Sequence, residues 1–176
     1  MRTHIGRRFT GLVTGALLAA GALFATAAPA QAYSPDPSVS TYYRDTGTCP
    51  CSGGSLTDPF DNTYFAHDAG GWAVKMELSD AGWFVGKVEF HPSGEKLWIY
   101  DTKNDGDTFY VSVAYSHNGS RHNLGTFSAP GTSDVVDLTV KDFSIPDGAY
   151  VDITLYDDSG RSDYIAAASG TGGAIA

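Results

Sequence analysis

The stretch TFYVSVAYS, at residues 108–116, decides the fold class. Its side chains alternate between an apolar set, which contains Val111 and Val113, and a second set that begins with Tyr110. A β-strand points successive side chains to opposite faces, whereas a helix needs apolar residues at three- and four-residue intervals. The stretch therefore predicts a strand with one buried face.

Short runs with the same period lie on both sides of this stretch, at residues 73–78, 84–90, 136–140 and 151–155, and residues 96–101 are largely aromatic and aliphatic. Turn sequences separate the runs, for example NDGD at 104–107 and PDG at 146–148. Gly and Asn tolerate the positive φ that tight turns need, and Pro presets the first turn residue. The pattern predicts an all-β fold: a single antiparallel β-sandwich domain of immunoglobulin-like shape, with a small β-barrel as second choice.

The first 32 residues have the features of an export signal. Arg2, Arg7 and Arg8 precede an apolar run at 11–28, and the small-residue pattern Ala30-Gln31-Ala32 follows it. This order predicts a signal peptide of the general secretory route, cleaved after Ala32, and hence a secreted, extracellular protein. An N-terminal membrane anchor is the alternative, but the apolar run is short for a bilayer and leads directly into the cleavage pattern.

The net charge limits the classes of partner that the protein is expected to bind. The whole chain carries a net charge of −9, which becomes −12 once the three arginines of the signal peptide are removed. Such an acidic body repels phosphate backbones and anionic lipid surfaces. We therefore expect no nucleic-acid partner and no membrane anchor in the mature form.

Four segments follow from composition. They are a signal peptide at 1–32, an extended Pro-, Gly- and Ser-rich lead-in at 33–56, the β-sandwich domain at 57–168 and a flexible tail at 169–176. The lead-in contains both cysteines, Cys49 and Cys51, separated by Pro50. Because thiols oxidise outside the cell, we expect a local Cys49–Cys51 disulfide that stiffens the loop, with intermolecular disulfides or a redox or metal-binding dithiol as alternatives.

Acidic residues crowd one predicted turn. Asp101, Asp105 and Asp107 surround Gly106, and calcium in proteins takes six to eight oxygen ligands of this kind. The spacing departs from an EF-hand because Lys103 stands at a ligand position. A calcium site at these three aspartates is one prediction; the other is that Asp and Asn are simply the residues that turns prefer, so that no cofactor is bound.

Catalytic motifs are weak or missing. The tripeptide Asp45-Thr46-Gly47 matches the aspartic-protease motif, but no second copy exists to supply the partner carboxylate. His117 and His122 flank a predicted hairpin loop and lack a third metal ligand in the sequence. The chain has no nucleophile elbow, HExxH motif or phosphate loop. We therefore expect a non-enzymatic protein.

The polar faces of the strands carry aromatic side chains. Secreted β-sandwiches use flat aromatic surfaces flanked by acids and amides to stack sugar rings. The same pattern also arises from cross-strand aromatic packing without a ligand. The candidate ligand-binding residues are Trp98, Tyr100, Tyr110, Tyr150 and Tyr156.

The segment GEKLWIYDT at 94–102, followed by NDGD at 104–107, resembles the small secreted β-rich proteins of high-GC Gram-positive bacteria. The resemblance covers about residues 84–156 and implies a sandwich fold and an extracellular location, without a catalytic residue. We expect a secreted binding domain for an extracellular glycan or protein. The alternatives are a protein inhibitor or toxin that acts through the Cys49–Cys51 loop, and a hydrolase built from Asp101, Glu95 and His91.

Overall fold

A computed structural model describes residues 33–48, 51–52, 63–133 and 135–176. The predicted signal peptide at 1–32 and Cys49 lie outside these residues, so the cleavage and the Cys49–Cys51 disulfide stay predictions. Within the described ranges, no helix is long and apolar enough to cross a bilayer.

The described chain contains twelve strands and two short 3₁₀ turns. The 3₁₀ turns are Thr46–Thr48 and Gly170–Gly172. The strands are β1 Ser38–Asp45, β2 Cys51–Ser52, β3 Tyr64–Phe65, β4 Trp72–Asp80, β5 Trp83–His91, β6 Lys96–Asp101, β7 Tyr110–His117, β8 Ser120–Phe127, β9 Asp137–Asp142, β10 Tyr150–Tyr156, β11 Tyr164–Ala168 and β12 Ala174–Ile175.

Ten of these strands form one antiparallel sheet, and β2 pairs separately with β3. The order in the sheet is β8-β7-β10-β12-β4-β5-β6-β9, with β1 on β4 and β11 on β10. The sheet curls into a half-barrel, a form consistent with a β-sandwich or a small barrel. The prediction of an all-β antiparallel fold is therefore confirmed.

The core fills the inside of the curled sheet. Val111 and Val113 of β7 lie there with Val151, Ile153 and Leu155 of β10, all with no exposed surface. Alternate residues of β4, β5 and β6 join the same apolar cluster from the other side. The period of two in the sequence is therefore the period of burial, because each strand turns one set of side chains inward.

Two segments outside the predicted sandwich domain belong to the sheet. Strand β1, within the predicted lead-in, pairs with β4 along its whole length, from Ser38 opposite Ser79 to Asp45 opposite Trp72. Strand β12, within the tail that we expect to be flexible, pairs with β10 and β4, and Ala174 is fully buried. The tail is ordered because its small apolar residues close the gap between two halves of the sheet.

Candidate functional site

The five aromatic residues expected to bind ligand lie in three separate places. Tyr110 and Tyr156 are paired on β7 and β10. Trp98 and Tyr100 lie on β6, and Tyr150 lies at the start of β10. Strand geometry puts Tyr150 and Tyr156 about 20 Å apart along β10. The structure therefore does not unite the five in a single platform.

Tyr110 and Tyr156 form a row with a third tyrosine. Tyr164 of β11 is paired with Tyr156, and the two rings meet edge to face with centroids 6.4 Å apart. Tyr164 is exposed, whereas Tyr110 and Tyr156 are half-buried. This row is cross-strand aromatic packing at the far end of β10.

Trp98 and Tyr100 contribute to an aromatic cluster that is largely covered. Tyr100 is buried, and Trp98 is half-buried and stacks on His91 with ring centroids 4.9 Å apart. Phe65 also packs against His91, with ring centroids 4.8 Å apart, and is 1% exposed. The burial of Tyr100 and the cover over His91 make this face a second layer of packing.

Four charged residues beside this cluster are buried. Lys75 and Glu77 alternate with core residues on β4, and Lys87 and Glu89 do so on β5. The strand register sets Lys75 opposite Glu89 and Glu77 opposite Lys87, so opposite charges are neighbours in both directions. Ion pairs join Lys75 to Glu77 and Lys87 to Glu89. The polar face predicted for these strands is therefore buried.

Glu89 is the centre of this network. Its Oε1 accepts hydrogen bonds from the Thr63 hydroxyl and the Lys87 ammonium, both at 2.7 Å, and its Oε2 lies 2.9 Å from Nε2 of His91. Burial acts to raise the pKa of Glu89, but the His91 hydrogen bond and the Lys87 charge outweigh it and bring the pKa to about 2. Both oxygens are engaged, so Glu89 is a structural anion at neutral pH.

An open groove of about 320 Å³ lies where β1, β4, β10 and β12 meet. The strand register places Trp72, Ile175 and Tyr150 in one row across β4, β12 and β10. Trp72 and Tyr150 are two strand spacings apart, about 10 Å. They are 41% and 45% exposed. We call this feature the Trp72 groove; it is lined by Tyr43, Trp72, Tyr150, Ile175 and residues 171–173.

Residues 171–173 supply polar groups to the wall of the groove. Gly173 lets this turn lie flat on β10, because a Cβ there would stand 2.8 Å from the carbonyl oxygen of Val151. The turn is held from below by Asp152, whose Oδ1 accepts the N–H of Gly170 at 3.0 Å. Asp152 also forms an ion pair with Arg121. The Thr171 hydroxyl is therefore presented on a fixed backbone.

The described carboxylates do not gather where the sequence analysis places a calcium site. Asp105 Oδ1 accepts the backbone N–H of Asp107 at 3.1 Å, and Asp101 is buried at the end of β6. Among the described residues, the group of acids whose oxygens all lie within 4.8 Å of one another is Asp36, Asp157 and Asp163, and Asp101, Asp105 and Asp107 are not such a group.

The other predicted constellations are also separated. The β7–β8 turn is the tight pair Asn118-Gly119, so His117 lies opposite Ser120, and His122 stacks instead on Tyr115 at 4.7 Å. Asp101 pairs with Gly86 while His91 pairs with Lys96, which puts these two hydrolase candidates at opposite ends of β5 and β6. Asp45 Oδ1 accepts the N–H of Gly47, a local turn bond.

Comparison with protein-family models, with curated proteins and with solved structures found no significant match to this chain.

Of the residues that line the Trp72 groove, sequence reasoning named Tyr150 alone, and two of the missed residues are aromatic. Trp72 begins β4 just before the run at 73–78, and Tyr43 lies in the segment that we expected to be a lead-in. Trp72 directly follows the glycine pair Gly70-Gly71. A tryptophan at the start of a strand, right after two glycines, is the signal that could have drawn attention to it.

Proposed function

We propose that this protein is a secreted, non-enzymatic domain that binds a neutral saccharide in the Trp72 groove. The observation that carries the proposal is that two exposed aromatic side chains, Trp72 and Tyr150, lie in one row across a largely apolar groove that Thr171 also lines. Sugar rings have apolar faces that stack on aromatic rings and hydroxyl rims that need hydrogen-bond partners.

The dimensions support a short stretch of sugar. A volume of about 320 Å³ is at the lower end of small-molecule sites and suits one or two rings. Tyr43, Tyr150 and Thr171 line the groove and carry hydroxyls that can donate and accept hydrogen bonds, and Ile175 lies between Trp72 and Tyr150 in the same row. The net charge of −9 favours a neutral glycan over an acidic polysaccharide.

The buried network around Glu89 offers less support for a hydrolase. His91 and Glu89 are a histidine and an acid in contact, but Glu89 is 1% exposed and both of its oxygens already have partners. A catalytic acid or base must reach the substrate. We therefore propose binding without catalysis.

Retention on insoluble neutral polysaccharides, followed by titration with soluble oligosaccharides of the retained type, tests the proposal. We expect retention of the mature protein on at least one matrix and a Kd for Trp72→Ala raised about 10-fold or more, since a stacked aromatic contact contributes about 1.5 kcal/mol or more.

Trp83→Ala is the matched control. Trp83 lies at the β4–β5 turn and is 76% exposed, so it is a more accessible tryptophan outside the Trp72 groove. We expect this variant to bind like the parent protein. Equal losses in the two variants, or no retention of the folded protein on any neutral matrix, would contradict the proposal.

A further inference from the structure

The backbone nitrogen of Tyr33 lies against a buried carboxylate. Its N–H donates to both oxygens of Asp157, at 2.9 Å and 3.2 Å. Asp157 has no exposed surface, and the two residues are 124 positions apart in sequence. Tyr33 is also the residue that would become the amino terminus if the predicted signal peptide is cleaved after Ala32.

The surroundings of this nitrogen are acidic. Asp36 and Asp163 lie beside Asp157, and one oxygen from each of the three carboxylates is within 4.8 Å of the others. The loop that carries two of them is closed by a hydrogen bond from the Asp157 N–H to the Asp163 carbonyl at 2.9 Å. Three carboxylates this close repel one another, and a positive charge among them relieves that repulsion.

The side chain of Tyr33 is packed in the core, and this packing helps to fix the position of its backbone nitrogen. The ring belongs to the apolar core, and the whole residue is 7% exposed. Burial, and then the negative charges of Asp101 and Asp105, raise the pKa of its phenol, which keeps the phenol neutral. A chain that begins at Tyr33 therefore begins on a core residue, whereas most chain ends are exposed and frayed.

We propose that cleavage after Ala32 creates an α-ammonium group at Tyr33 whose binding site is the buried carboxylate of Asp157. Hydrolysis of the 32–33 peptide bond consumes one water, leaves a carboxylate on Ala32 and frees an amine on Tyr33, which takes up a proton. The neutral N–H that donates to Asp157 is thereby replaced by a cationic group with three protons. The proposal rests on the predicted cleavage and is independent of the Trp72 groove.

Cleavage of the signal peptide therefore adds a stabilising interaction to the folded protein. The ammonium adds the attraction of a full positive charge to the hydrogen bonds that the Tyr33 N–H already donates to the buried carboxylate of Asp157. In a precursor that retains the leader, the Tyr33 nitrogen presents only an amide N–H to Asp157. The exported, cleaved chain is therefore the more stable form.

Amine labelling of the mature protein tests the site without any substitution. The chain is exported with its own leader, its start at Tyr33 is verified by mass spectrometry, and it is treated with an acetylating succinimide ester at pH 7, folded and in urea. Lys96, whose side chain is 46% exposed, serves as the internal reference. We expect the Tyr33 amine to react about 10-fold or more slowly in the folded protein. Equal rates, or a mature chain that begins elsewhere, would overturn the proposal.

A double-mutant cycle tests the charge itself. A chain extended by an N-acetylated Ala32 keeps an amide N–H at Tyr33 and has no terminal ammonium, and Asp157→Asn removes the carboxylate. We expect each change to raise the unfolding equilibrium constant about 10-fold or more, and the extension to cost nothing further in the Asp157→Asn background. Asp147→Asn, at an exposed turn, is the control in which the extension keeps its full cost. Fully additive effects would refute the ion pair.

Discussion

Asp101→Asn removes a pH dependence of stability that the burial of Asp101 creates. Asp101 ends β6, is 1% exposed, and its Oδ1 accepts the backbone N–H of Lys103 at 2.9 Å. Burial raises the pKa of its carboxyl from 3.8 to about 6, against the opposing hydrogen bonds from Lys103 and Thr108. Asparagine keeps the acceptor oxygen and removes the titrating charge, so the variant isolates this group.

The direction in which the free energy of unfolding changes with pH depends on which state binds the Asp101 proton. Between pH 3.8 and about 6 the folded protein holds the Asp101 proton and the unfolded chain does not, so this group lowers the free energy of unfolding as the pH rises. The difference between the two pKa values corresponds to about 3 kcal/mol, reached above pH 6. Asp101→Asn should therefore gain up to about 3 kcal/mol relative to the parent protein between pH 3.5 and pH 7.

Urea denaturation of both proteins at half-unit steps from pH 3.5 to pH 7 measures this difference. The amide of the asparagine variant also changes the free energy of unfolding by an amount that does not depend on pH. The diagnostic quantity is therefore the slope, against pH, of the difference in unfolding free energy between the two proteins. Asp147→Asn provides the comparison for loss of a negative charge at an exposed turn. A difference that stays flat across the range, or that favours the parent protein as the pH rises, would refute the reasoning.

Two further substitutions test other parts of the structure. Glu89→Gln should cost about 3–5 kcal/mol above pH 4.5 by removing a buried ion-pair partner of Lys87. The loss should shrink as the pH falls from 4.5 towards 2, because Glu89 of the unfolded parent chain then binds a proton while Glu89 of the folded protein stays ionised; acid titrations of stability measure this. Gly173→Ala should displace the turn at 171–173, since its Cβ would stand 2.8 Å from the Val151 carbonyl oxygen, and weaken oligosaccharide binding in titration calorimetry; unchanged affinity would mean that the turn forms no part of the site.

Most strands are predictable from the sequence because burial follows local alternation. The apolar residues of β7 and β10 alternate with other side chains along the strand. Those at Val111, Val113, Val151 and Ile153 are all buried. The alternation fails at a bulge. Leu78 pairs with Gly86 and Ser79 with Phe84, so Val85 turns into the core where the simple period predicts Phe84. A bulge depends on the pairing of two strands, which one strand's sequence does not contain.

The candidate site is less predictable because distant segments build it. Trp72, Tyr150 and Ile175 come from three strands, and they become neighbours only when the C-terminal strand enters the sheet. The burial of Lys75 and Glu89 has the same origin, since the strand register sets these opposite charges side by side, next to the ion pair that each makes along its own strand. Sequence alternation marks such residues as polar, and only the pairing of strands decides whether they face water.

The most direct test of the proposed saccharide site uses the three tryptophans as reporters. Protein labelled with 5-fluorotryptophan gives one ¹⁹F signal each for Trp72, Trp83 and Trp98, assigned with single Trp→Phe variants, and is titrated with an oligosaccharide of the retained polysaccharide. We predict a saturable shift of the Trp72 signal, with the Trp83 and Trp98 signals unchanged. A shift of Trp83 or Trp98 while Trp72 stays constant would contradict the account.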